Sequence, residues 1–432
     1  MVSGVQNGHC VRDTVEFKSS YPSHNLRDDV LVGTEPEATH SDWRRRLGEM
    51  EVPESISSND VLNRCLGILV RGGRVSEDDG MRLMQENSLS ALSSLADMIK
   101  RSHHGNDVYF NENLHVNTTN ICILACRFCA FRKGVNHPDA YALSPSDFLD
   151  RMEPFSNTID EVHSVGGLHP TWKVEDYAEL FSTIKEAYPH IHIKSLTAIE
   201  IIHVSRRSGI TVEAALEVLS RAGLSSIPGG GAEILVDSVR DRICRGKESS
   251  DEYLEVHGTA HELGIPTNCT MLFGTVETVG DRIRHLNRLR EQQDRSGGFQ
   301  CFVPYPFLSD SSRLPDAQLA SSSEVIRMIA VSRILLDNIP HIKAYRMNLG
   351  NHLAALCLNA GADDIDGTVS HEEIMHEAGS STRLDTSTDE LARLIASSGA
   401  RAVKRDSLYR EFRSHDMGAP RSVELPVLGN RG

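Results

Sequence analysis

Three cysteines, Cys122, Cys126 and Cys129, fall in the short stretch NTTNICILACRFCAFRKG with the spacing C-x3-C-x2-C. Thiols this close together, flanked by Arg127, Arg132 and Lys133, make poor core filler, because basic neighbours favour the thiolate that binds metals. Three ligands are one short of a closed site. A four-iron cluster normally takes four thiolates, so a loop that supplies three leaves one iron an open coordination position for a substrate. The basic side chains would offset part of the negative charge of thiolates and sulfides. A structural zinc site is the alternative, with His115 or His137 completing a tetrahedron, although zinc ligands usually come as two separated pairs. Three buried thiols without a metal are the remaining alternative. Cys10, Cys65, Cys244, Cys269, Cys301 and Cys357 stand alone and are expected to be small apolar filler. An odd, scattered set of nine does not form a secreted disulfide framework, so a reducing, cytoplasmic setting is expected.

Holding such a loop takes a scaffold, and the 432-residue chain is long enough for a large domain with extensions. No apolar run approaches the roughly 18 residues of a membrane helix, and the opening MVSGVQNGHCVRDTVEFKSS lacks the apolar core of a secretory signal. A formal charge of −15 argues against a nucleic-acid surface. The expected partner is a small-molecule substrate, with no nucleic acid and no membrane span.

From residue 106 onward, β-rich segments alternate with amphipathic helices. The strand candidates are LHVNTTN, EVHSVGG, IHIKSLTAIE, LSSIPGG, PTNCTMLFG, FQCFVPY, IKAYRMNLG and ADDIDGTV. In EDYAELFSTIKEAY, the residues Tyr177, Leu180, Phe181, Ile184 and Tyr188 fall on one face, the spacing of a helix lying on a sheet. SSDEYLEVHGTAHELG carries a capping box, Ser249 with Glu252, and ends at Gly264. Some eight strands with crossover helices predict an α/β fold, a parallel (βα)8-type TIM-like barrel with an N-terminal helical segment. The expected division is a flexible extension over 1–53 with a short helix near Trp43, a helical segment over 54–105, the barrel over 106–375, and a helical or irregular C-terminal segment over 376–432. SHHGN at 102–106 is expected to be a solvated turn. Function in such a barrel belongs at the C-terminal ends of the strands. There the cysteine loop follows the first strand, Gly166, Gly167, Leu168, His169 and Pro170 follow the second, Glu200 ends the third and PGGGAE follows the fourth.

A C-x3-C-x2-C loop after the first strand of a parallel barrel resembles the radical S-adenosylmethionine (SAM) superfamily. HVNTTNICILACRFCAF, VGGLHP, HIKSLTAIE, PGGGAEI and DNIPHIKAYRMNLG together are similar to the futalosine-pathway enzymes of menaquinone biosynthesis, over about Val61 to Phe412. The resemblance implies a [4Fe–4S] cluster on Cys122, Cys126 and Cys129, with SAM chelated at the open iron. It places Phe128 near the adenine and Gly166 and Gly167 at the methionine amine, while Leu168 departs from the acid often found there. It further implies an electron donor such as flavodoxin or ferredoxin, and addition of the 5′-deoxyadenosyl radical to the enol ether of 3-[(1-carboxyvinyl)oxy]benzoate, with the reaction of a dehypoxanthine futalosine cyclase or of a deazaflavin-precursor synthase subunit as the alternatives.

A substrate with two carboxylates needs oriented donors, and His169, Arg346 and Asn348 are the candidates at expected strand ends. His169 could contact substrate or assist proton transfer, or simply form the turn before Pro170. Arg346 could hold a carboxylate or pair with Asp363, Asp364 or Asp366. Glu200 is expected to meet a ribose hydroxyl, or else to pair with Lys194. PGGGAE lacks the Lys and Ser/Thr of a phosphate loop, so it is assigned to close approach of backbone to substrate or adenosine, with Glu233 as a polar contact.

Overall fold

Parallel strands in one sheet must be joined by crossovers, and the helices between the apolar segments supply them. The structure, a computed structural model, describes residues 42–308 and 313–415; the expectations for 1–41 and 416–432 lie outside these residues. The strands are β1 (Asp107–Phe110), β2 (Asn113–His115), β3 (Glu161–Ser164), β4 (His192–Ser195), β5 (Leu224–Ser226), β6 (Thr267–Phe273), β7 (Phe299–Pro306), β8 (His341–Ala344), β9 (Asp364–Ile365), β10 (Arg401–Arg405) and β11 (Phe412–Ser414).

Two sheets, β2-β3-β4-β5 and β11-β10-β1-β9-β8-β7-β6, make up this set. They join on both sides. A parallel bridge links Ile227 to Thr267, and the chain beyond β9 bonds back to the start of the barrel, through Thr368 N–H to Asn111 O at 3.2 Å and His115 N–H to His371 O at 3.2 Å. β1 and β2 are thus two halves of one interrupted strand, and β2 through β9 run around the ring. Every residue of β6 is buried, as expected of a barrel strand covered on both faces.

The helical stripe foreseen for 175–188 is found in the helix Val174–Ala187, which buries Tyr177, Leu180, Phe181 and Ile184 against the barrel. The Ser249–Glu252 capping box is also present, with Glu252 N–H donating to Ser249 Oγ at 3.2 Å and Ser249 N–H donating to Glu252 Oε2 at 2.8 Å. No helix among the described residues is long and apolar enough to cross a membrane.

Three sequence expectations are corrected. The short helix expected near Trp43 is present as Trp43–Glu49, but it buries Trp43 and Leu47, so the described part of the 1–53 extension is packed. The segment after 376 contributes β10, parallel to β1, and β11 as well as helix. SHHGN is no solvated turn. His103 and His104 close the helix Leu89–His104, with His103 stacked on Trp43 at 4.4 Å and His104 on His341 at 4.9 Å. His104, His341 and Asp363 are the one group of three metal-ligating side chains among the described residues whose ligand atoms lie within 4.8 Å of one another. The Arg333 guanidinium already bonds Asp363 there, so the charge a cation would supply is in place.

Candidate functional site

The cysteine loop has a closed neck. A parallel bridge joins Ile121 to Lys133, Cys122 N–H donates to Lys133 O at 3.1 Å and Lys133 N–H to Asn120 O at 2.8 Å. Pinning the two ends confines the three cysteines, all half-buried, to a small volume. Their sulfurs do not belong to any group within 4.8 Å of one another, with or without His115 or His137. Tetrahedral zinc, with bonds of about 2.3 Å, would draw its ligands inside that distance. Burial pushes the Cys126 thiol up to about 12 and raises Cys129, with Lys247 pulling both back. Cys126 and Cys129 therefore hold protons that metal binding would release.

The counter-charge comes from elsewhere than expected. Arg127 turns outward to Asp316 at 3.4 Å, Lys133 pairs with Glu377 at 3.3 Å, and Arg132 donates to Cys122 O at 3.2 Å. The cation that acts on Cys126 and Cys129 is Lys247, after the helix Asp237–Ile243. Its Nζ sits 2.5 Å from Glu233 Oε1 and 6.0 Å from the centre of the Phe128 ring. Cys244, expected to be filler, is buried close enough to Cys126 to help raise its pKa.

Glycines position both flanks. A Cβ on Gly167 would lie 2.2 Å from Ile121 O, and one on Gly166 would lie 2.6 Å from Thr118 Oγ1. The end of β3 thus packs directly on the loop's neck, where Gly167 N–H donates to Thr119 O at 2.8 Å. Gly167→Ala is expected to destabilise the fold by about 1–3 kcal/mol through overpacking and to lower iron uptake, checked by denaturant unfolding beside iron analysis. In PGGGAE, Gly229 has φ +81° and its Cβ would meet Asn268 O at 2.2 Å. This close approach is to the β6 backbone, not to a ligand. Leu272 N–H donates to Glu233 O at 2.9 Å, fixing Glu233 beside Lys247.

Glu200 does not end a strand. β4 stops at Ser195 and the helix Ala198–Ser208 begins, with Thr197 and Glu200 forming a capping box. The carboxylate accepts from Thr197 N–H and Oγ1, both at 2.7 Å, and from Gly166 N–H at 2.9 Å. It braces the glycine strand end and makes no pair with Lys194, which bonds Glu161 at 2.7 Å. Burial pushes its carboxyl up to about 7, against the three donors that lower it. The folded chain therefore holds a proton that the unfolded chain releases near the ordinary carboxylate value. That contribution to stability is full in acid and is lost as pH rises through 7. Relative to Glu200→Gln, the wild type is expected to lose on the order of 3 kcal/mol between pH 4 and 8; parallel stability profiles would refute this.

Arg346 likewise opens a helix, Arg346–Leu358, and is fully buried. Its backbone N–H and that of Met347 donate to the Asp366 carboxylate, and its guanidinium reaches Arg383 O at 3.2 Å and Gly367 O at 3.3 Å. The ion-pair alternative describes it, with Asp366 at 3.7 Å. His169 makes a turn, its Nδ1 3.1 Å from Thr171 Oγ1 and its ring stacked on Trp172 at 4.7 Å.

Beside the loop lies a cleft lined by Phe128, Phe131, Leu272, Tyr305, Asn348 and Met375 among others. Phe128 and Asn348 are brought together here; Gly166, His169, Glu200 and Arg346 do not line it. Asn348 Nδ2 donates to Pro306 O at 3.1 Å, leaving its Oδ1 buried without a partner. The buried amide oxygens of Asn117 and Asn268 are unpartnered as well. Such groups are ordinarily satisfied; Asn117, just past β2, and Asn348, on the helix after β8, lie beyond the C-terminal ends of strands, where a polar ligand fits them, whereas Asn268 is the second residue of β6. Lys247, Tyr305 and Met375 were missed by sequence reasoning: each is an isolated residue far along the chain from Cys126, with no local motif.

The profile of the Radical SAM superfamily matches residues 116–289 and that of the CofH/MqnC C-terminal region matches 296–417. An aminodeoxyfutalosine synthase of Thermus thermophilus is 39% identical over 353 residues, covering 81% of this chain and 95% of that protein. A 5-amino-6-(D-ribitylamino)uracil--L-tyrosine 4-hydroxyphenyl transferase of Methanothermobacter thermautotrophicus is 36% identical over 346 residues, covering 78% and 94%. Among solved structures, methylornithine synthase matches with a TM-score of 0.62 at 18% identity, over 76% of this chain and 94% of that one, a likeness of fold.

Proposed function

This chain belongs to the radical SAM superfamily, in the group that shares the CofH/MqnC C-terminal region, and from that membership we propose that it acts as an aminodeoxyfutalosine synthase. It is a radical SAM enzyme with a [4Fe–4S] cluster and SAM as its cofactors. The proposed reaction joins the adenosyl group to the enol-ether carbon of 3-[(1-carboxyvinyl)oxy]benzoate and, after rearrangement and decarboxylation, gives 6-amino-6-deoxyfutalosine. SAM is then a consumed substrate, and methionine leaves. The observation that carries this reading is the 39% identity to a synthase over 95% of that protein's length.

When bound, the cluster supplies one electron to the SAM sulfonium, which releases the 5′-deoxyadenosyl radical. The chain's own part is to hold and orient. Cys122, Cys126 and Cys129 would hold three irons, and Lys247, fixed by Glu233, would offset their charge. Phe128, Phe131 and Tyr305 line a cleft that would take the aryl ring and keep water from the radical. Asn348 Oδ1 would accept a hydrogen bond from a ligand hydroxyl or amine. Orientation of this kind is most of what a protein adds to radical chemistry.

The test is mass spectrometry of products after anaerobic reconstitution with iron and sulfide, using SAM, a reductant and the enol-ether benzoate. An adenosine adduct that has lost carbon dioxide is expected. Free 5′-deoxyadenosine without an adduct would overturn the assignment and point to a hydrogen-abstracting relative.

A further inference from the structure

The surface behind Cys126 carries a charge opposite to that of the chain. The sequence sums to −15, yet three arginines meet there. Arg127 N–H donates to Ile243 O at 2.8 Å, and its guanidinium reaches Arg242 O and Arg313 O, each at 3.2 Å. Arg313 Nη2 lies 3.5 Å from the carbonyl oxygens of Ala125 and Cys126. Arg242 and Arg313 are exposed, as is Arg245 close by in the chain. Asp316 pairs with both Arg127 and Arg242, and among the described residues the four arginines outnumber Asp316 and the exposed chain neighbour Asp241. Ile123, at 55% exposure, and Ala125 present apolar atoms on the same loop. None of these residues lines the cleft beside Phe128.

Exposed arginines that do not bond the loop offer their charge to a partner of opposite sign. Arg127 pins the loop through its backbone and guanidinium bonds, and Arg313 through its contacts to Ala125 O and Cys126 O, so the exposed guanidinium groups of Arg242 and Arg245 are the ones not required for that. A radical SAM enzyme needs one electron for each SAM it cleaves, and the donor is a separate molecule. Attraction between a basic patch and an acidic protein speeds and orients their encounter, and a small apolar contact inside a charged rim is the usual anatomy of a transient interface.

We propose that Arg127, Arg242, Arg245 and Arg313 form the docking surface for an acidic one-electron carrier protein, seated directly over Cys126 and away from the substrate cleft. The carrier is oxidised by one electron and the cluster is reduced by one, with no bond made or broken at the contact. The inference rests on family membership and not on the substrate assignment, so the assays below omit the enol-ether benzoate.

The test compares the wild type with Arg242→Glu/Arg245→Glu, using an acidic flavodoxin as the probe. Titration of the oxidised flavodoxin onto the cluster-loaded chain and onto the cluster-free chain is expected to show binding that weakens with salt. In the double variant, affinity is expected to fall at least about tenfold and to lose most of that salt dependence. SAM cleavage driven by dithionite is expected to stay unchanged, while cleavage driven by reduced flavodoxin needs about tenfold more carrier. Equal affinity in the two proteins would overturn the proposal. So would a parallel fall in the dithionite-driven rate, which would make the arginines supports of the loop.

Discussion

Cys126→Ala is expected to lose its iron and all SAM cleavage while keeping its fold. Each of three ligands is indispensable when no fourth cysteine replaces it, and Cys244, the thiol nearest in effect to Cys126, is closed off from solvent. Truncating one half-buried thiol removes little apolar area, about 1 kcal/mol or less. The barrel core is built from residues such as Phe181, Phe273 and Phe302, which belong to strands and helices and not to the loop. Iron and acid-labile sulfide should therefore fall to background, while the far-ultraviolet circular dichroism and melting temperature stay close to those of the unloaded wild type. Global unfolding of the variant would show that the cluster is a folding element, as structural zinc often is.

Lys247→Met is expected to be among the most destabilising single changes in the chain. The ammonium lies between Glu233, at 2.5 Å, and the field of buried Glu248, and both acids would remain when it goes. Removing one partner of a buried pair typically costs about 3–5 kcal/mol, because the other charge is left uncompensated. Denaturant unfolding measures this on the cluster-free protein. Lys247→Met/Glu233→Gln should recover much of the stability, since the unpaired carboxylate is gone. It should not recover iron retention, because the sulfurs still lack their cation. Recovery of both in the double variant would assign Lys247 to folding alone.

The eight strand candidates each hold a strand of the ring, and the three cysteines sit on a closed loop after the first of them. These features were legible because each is local. A β-rich segment declares itself within a few residues, and a C-x3-C-x2-C loop brings its ligands together whatever the rest of the chain does. Errors arose where an apolar segment runs into a helix. IHIKSLTAIE looks extended throughout, but Leu196 takes φ +63° and Thr197 caps a helix, so Glu200 faces inward as a brace. The T-x-x-E pattern of TAIE was the available signal. For Arg346 there was none, because its helix is capped by Asp366, just past β9.

Sequence alone determined the barrel and the ligand loop, since hydrophobic periodicity and ligand spacing act over a few bonds. Only the tertiary structure decided which charge faces the sulfurs, which side chains wall the cleft and where the arginines gather. Lys247, Tyr305, Met375 and Arg313 lie far from Cys126 along the chain. Their proximity to the loop follows from closure of the ring, which brings the ends of distant strands to one mouth.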